Sequence, residues 1–167
     1  MGADHELTIE RRLLQARALA EVGKAPDAIA LINADQVLDA ELLKAEIYWE
    51  TQGWANAALV LRRIVREIGA MPGQALDDGK SRTVLNLAIA LTLAGNERAV
   101  DRLRRDYEPT MTPTLYGDAF RLIADSPIEG LLDPKALSGE VGEADKFRGF
   151  LAAYRERLRA QNLSAIN

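Results

Sequence analysis

The chain has 167 residues, enough for one domain that buries most of the surface its unfolded form would expose. Apolar residues make up 48% and charged residues 28%, the usual balance of a soluble domain. A net charge of −4 argues against a general nucleic-acid binder, and the lack of cysteine removes disulfides, thiolate metal sites and cysteine nucleophiles.

Aromatic residues are only 5% while Ala and Leu are abundant, which favours helices over strands. The opening MGADHELTIERR is polar and carries no apolar signal core. No apolar run approaches the roughly 18 residues needed to span a bilayer. The expectation is a cytoplasmic chain without membrane contact, and the reading allows it to be a piece of a longer protein.

Helical periodicity predicts a first helix over residues 6–22, with Leu13, Leu14, Ala16, Leu19 and Ala20 as its stripe. Gly23 ends it, and Pro26 opens a short helix over 26–33. Asp39 is the expected N-cap of a helix over 40–52. Gly53 breaks that helix in a left-handed turn, and Trp54 starts the next, over 54–68. The segment GAMPGQALDDG reads as a loop. SRTVLNLAIALTLA, over 81–94, is apolar almost all round and is expected to be the most buried helix. Gly95 closes it, and an amphipathic helix follows over 96–107. Thr112-Pro113 reads as an N-cap and first-turn proline for a helix over 113–124. Short turns are expected over 126–142. A last helix over 143–161 carries Phe147, Phe150, Leu151, Tyr154 and Leu158 on one stripe.

Gly23, Gly53 and Gly95 each lie between two helices and are each followed by a small alanine: Ala28, Ala57-Ala58 and Ala99. This helix–Gly–helix unit resembles the tetratricopeptide repeat, best in AEIYWETQGWANAALVLRRIV, where Trp49 and Trp54 flank the turn. The resemblance covers pairs over 6–33, 40–68 and 81–107. Their glycines are 30 and 42 residues apart instead of the family's constant 34, so the repeats are degenerate. It implies an all-α superhelix, a solenoid of antiparallel helix pairs over 1–110, with a helical extension over 111–167 serving as a cap.

The resemblance further implies a concave groove for a peptide or a partner's helix. Its lining, carried over unit by unit, is Leu13 and Arg17, then Leu43, Ile47 and Glu50, then Arg82, Leu85, Asn86 and Ile89. Only Arg82 and Asn86 suggest the carboxylate clamp of chaperone-binding members, so no such clamp is expected. The mostly aliphatic lining suits an amphipathic helix.

Candidate chemistry is sparse. His5 is the only histidine and sits in the polar leader, away from any triad or metal cluster. Gly79-Lys80-Ser81 lacks the spacing of a phosphate loop, and Asp77 and Asp78 would repel a triphosphate. Asp77-Asp78-Gly79 also lacks the remaining ligands of a calcium loop. Glu46 and Glu50 share a helix face and could in principle act as acid and base, but such pairs are more often solvated surface. Arginines cluster at Arg62, Arg63 and Arg66, at Arg98, Arg102, Arg104 and Arg105, and at Arg155, Arg157 and Arg159. An acidic peptide or nucleic acid could use them, although interleaved acids favour a mixed-charge surface.

The leading expectation is a non-catalytic interaction scaffold, with a protein or peptide partner and neither metal nor cofactor. Self-association through the last helix is the alternative. An enzyme or an RNA-binding repeat is the more distant one.

Overall fold

The computed structural model describes residues 2–125. The chain divides by its internal contacts into Met1–Ser126 and Pro127–Asn167. The second unit lies outside the described residues. So does the expected last helix, with the self-association reading that rests on it and the arginines at 155, 157 and 159. The described residues form seven helices and no strand: α1 Gly2–Glu21, α2 Ala25–Ile32, α3 Leu38–Glu50, α4 Trp54–Glu67, α5 Asp78–Leu93, α6 Glu97–Met111 and α7 Gly117–Asp125.

Each predicted helix within this span is present, and the ends differ for local reasons. The polar leader is already helical, so α1 starts at Gly2. Asp39 does not cap α3. Extended Val37 precedes that helix, and Asp39 lies in its first turn, where a carboxylate still favours the helix dipole. α6 continues through Pro109 to Met111. Tyr107 and Met111 are buried there, and the Thr112 hydroxyl donates to the Glu108 carbonyl at 2.7 Å. Thr112 therefore ends α6 rather than capping α7. Residues 112–116 are turns, and α7 begins at Gly117, where a Cβ would lie 2.6 Å from the carbonyl oxygens of Met111 and Thr112. Only glycine allows the start of α7 to sit that close to the end of α6.

Consecutive helices pack in pairs. α1 packs on α2, α3 on α4 and α5 on α6, while α1 and α2 also meet α3, α4 meets α5, and α7 lies on α5 and α6. The first interior cluster unites Ala16 of α1, Ala28 and Ile32 of α2, and Leu43 and Ile47 of α3. α5 is the most enclosed element, as its all-round apolar sequence requires: Val84, Leu85, Leu87, Ala88, Ile89, Ala90 and Leu91 are all buried. By contrast, α1 leaves Leu7 and Leu14 in solvent, Leu14 at 68% exposure.

The three pair-closing turns share one hydrogen-bond pattern. Gly23, Gln52 and Gly95 are left-handed, with φ of +81°, +58° and +72°. Each donates its N–H to the carbonyl three residues back, and the following residue donates to the carbonyl five back, as in Gly53 N to Tyr48 O at 2.7 Å. This is the Schellman closure of a helix. In the middle pair the left-handed residue is Gln52 and not Gly53, whose φ is −77°. Gly53 serves close approach instead, since a Cβ there would meet Tyr48 Cδ1 at 3.2 Å.

A side chain in the left-handed region costs about 1–2 kcal/mol. Gln52→Gly is therefore expected to raise stability by about 1 kcal/mol, part of the gain being lost to the freer unfolded chain. Urea denaturation checks this, and a midpoint that stays put or falls would show that Gln52 bears no such cost.

Candidate functional site

The residues expected to line an inner groove are distributed unevenly. Leu43 and Ile47 are 3% exposed and belong to the core between the first two pairs, with Leu13 packed against them. Leu85 and Ile89 are fully buried, and Asn86 is buried with its Oδ1 unpaired among the described residues. Leu43, Ile47, Leu85 and Ile89 are spent on helix packing, while Leu13 is half-buried. Arg17 faces Glu46 at 3.6 Å, and Arg82 is half-buried, whereas Glu50 is exposed.

The loop before α5 forms the N-cap of that helix. The Asp77 carboxylate accepts from the Lys80 N–H at 2.8 Å, and the buried Ser81 hydroxyl donates to the Asp77 carbonyl at 2.7 Å. The Lys80 backbone N–H and the Ser81 hydroxyl are thereby committed to the cap. His5 is exposed on α1. Among the described residues no cluster of His, Asp and Glu could hold a metal ion, and no helix is long and apolar enough to cross a membrane. Trp49 and Trp54 pack edge to face across the α3–α4 turn, with centroids 5.2 Å apart. Both are half-buried, so they close the turn rather than fill the interior.

Nothing in the helical periodicity marks Glu41 and Lys44 as buried, yet they are, at 6% and 3% exposure. The Lys44 Nζ donates to Glu41 Oε1 at 2.9 Å, to the Asp35 carbonyl at 2.7 Å and to the Asn33 carbonyl at 3.3 Å. Arg63 Nε of α4 donates to the other Glu41 oxygen at 2.9 Å. Arg12 Nη2 of α1 reaches Asp35 Oδ1 at 2.6 Å. Burial alone would push the Glu41 carboxyl up. The hydrogen bonds from Lys44 and Arg63, with their charge, outweigh it and hold the group below its ordinary 4.5. This network joins four helices, and its paired groups clamp them together, while Arg12 Nε and Asp35 Oδ2 are buried within it without a hydrogen-bond partner among the described residues.

Lys44→Met leaves the Asn33 and Asp35 carbonyls and half of Glu41 unpaired, and is expected to cost about 3 kcal/mol. The depressed Glu41 contributes stability that is present above 4.5 and lost as pH falls through its lower folded value. Urea midpoints across that acid range should therefore drop more steeply in the native protein than in Glu41→Gln. Equal slopes would show that Glu41 adds nothing there.

The feature best placed to bind something lies between the second helices of the middle and third pairs. A cleft of 250 Å³ opens between α4 and α6 over α5. Its floor is Val65, Leu87, Leu91 and Leu103, flanked by Ala99 and Pro72. Arg62 and Arg66, one turn apart on α4, and Arg102 on α6 line it in exposed positions, with Asp106 and Tyr107 completing the wall. The three guanidinium groups make no ion pair or side-chain hydrogen bond among the described residues. Two arginine clusters that are separate in sequence thus meet at one apolar opening. Helical periodicity could have put Arg62 and Arg66 on one face. The juxtaposition with Arg102 needed the packing of α4 and α6 on α5.

The Tyr107 hydroxyl, at the base of this wall, donates to the buried Ala70 carbonyl at 2.6 Å. Burial pushes the phenol up, and the neighbouring Asp106 carboxylate adds to the shift, so the group stays protonated and keeps its bond. Tyr107→Phe strands that carbonyl and is expected to cost about 1–3 kcal/mol. Equilibrium denaturation would show it, and an unchanged midpoint would mean that water replaces the phenol.

Comparison with protein-family models, with curated proteins and with solved structures found no match.

Proposed function

We propose that the chain is a non-catalytic protein-interaction module, a tetratricopeptide-like stack of helix pairs that takes a peptide partner in the cleft between α4 and α6. The observation that carries this reading is the cleft itself: an apolar floor under three arginines that form no ion pair among the described residues and share the opening with one carboxylate, Asp106. Binding sites combine apolar walls with a few convergent polar groups, and arginine is favoured where a partner's carboxylates must be held. The pairwise packing of α1 to α6 supports the stacked arrangement. The burial of Leu43, Ile47, Leu85 and Ile89 supports a recognition surface on the second helices of the pairs over one on the inner row.

The size of the opening favours a peptide over a cofactor. Small-molecule sites commonly occupy about 300–1,000 Å³, and 250 Å³ is room for one or two side chains of a longer partner. Selection of an unbiased displayed-peptide library on the full chain tests the reading. Enriched peptides should bind the native protein and lose binding to Ala99→Trp, which plugs the half-buried edge of the cleft. A library that yields no binder, or binders indifferent to Ala99→Trp, would overturn it.

A further inference from the structure

The partner's chemistry can be narrowed, on the assumption that the α4–α6 cleft is the recognition surface. Charge comes first. Arg62, Arg66 and Arg102 face a single carboxylate, Asp106, so the opening carries an excess of positive charge on a chain whose net charge is −4. A local field opposed to the overall charge is a selective feature, because it draws anionic groups to one place only. Geometry comes next. Arg62 and Arg66 are successive turns of one helix, with Cβ atoms about 5–6 Å apart. Arg102 stands on the opposite wall. Carboxylates held from two sides leave whatever lies between them over Val65, Leu87 and Leu103.

We propose that this cleft recognises an acidic peptide segment, an aliphatic side chain entering between the walls while flanking carboxylates pair with Arg62, Arg66 and Arg102.

A nucleic acid would share the charge and not the rest. The cleft offers no open aromatic face for a base, since Tyr107 is buried and its hydroxyl is tied to Ala70. Asp106 would repel a phosphate backbone, whereas a peptide backbone brings N–H donors that a carboxylate accepts.

Fluorescence anisotropy on the full chain tests the proposal. The probe is a labelled, end-blocked peptide with a pair of leucines flanked by glutamates. Its counterparts replace the glutamates by glutamine or the leucines by alanine. The acidic probe should bind, weaken with added salt, and lose about tenfold or more in affinity with Arg66→Glu and again with Arg102→Glu. Both arginines are exposed, so these variants should fold, and circular dichroism confirms it. The glutamine and alanine peptides should each bind at least several-fold more weakly. Ala99→Trp should abolish binding with every arginine in place. A glutamine peptide that binds as well as the acidic one would overturn the proposal, as would arginine variants without effect or a single-stranded oligonucleotide that displaces the probe at equal concentration. Should the unbiased library give binders that contain no acidic residues yet still need the cleft, the interaction module stands and this inference alone fails.

Discussion

One buried ammonium group sets the relation between the first helix pair and the rest. Lys44 projects from α3 into the turn that ends α2, where it binds the carbonyls of Asn33 and Asp35 and the carboxylate of Glu41. Those carbonyls follow the end of a helix and have no helical partner of their own. A lysine supplies three directed donors, so one side chain satisfies them together. Glu41 passes the constraint to α4 through Arg63, and Asp35 passes it to α1 through Arg12. The apolar cluster of Ala16, Ala28, Ile32, Leu43 and Ile47 supplies the burial, but apolar contact is non-directional. The polar network adds directional contacts that hold in one relative placement of these helices.

The chain shows unevenly which of its features can be read from sequence. α5 was legible because nearly every position is apolar, and only an enclosed helix can use such a sequence. The turns at Gly23 and Gly95 were legible because glycine sits at the left-handed position itself. The middle turn misleads by one residue. Gln52 occupies the left-handed position, and the glycine beside it answers to Tyr48, a contact that exists only once the turn has closed. Glu41 and Lys44 look like an ordinary surface pair at a spacing of three. Their burial depends on where the turn after α2 places its carbonyls, which periodicity does not encode.

The candidate site follows the same division. The inner-row expectation took the aliphatic positions as the lining of a partner's groove, and Leu13, Leu43 and Ile47 instead pack in or against the core of α1, α2 and α3. Arginine clusters, by contrast, look like solvated mixed-charge stretches when each is taken alone. Their meaning changes when α4 and α6 lean on the same helix. Ordinary surface arginines are interleaved with acids and partnered on their own helix, as Arg104 is with Asp101. Arg62, Arg66 and Arg102 find no such partner among the described residues, and they converge over aliphatic side chains.

Convergence is of use to a partner only if the walls stay put. α5 provides the first condition, a close-packed floor whose Leu87 and Leu91 cannot shift without disturbing buried neighbours on both sides. Tyr107 provides the second. By bonding Ala70, just beyond the end of α4, it ties the wall that carries Arg102 to the segment that follows the wall carrying Arg66. That buried hydrogen bond holds the backbone from which the cations project. If the proposed acidic peptide is the ligand, arginines mounted on helices fixed in this way meet its carboxylates without a rearrangement of the frame.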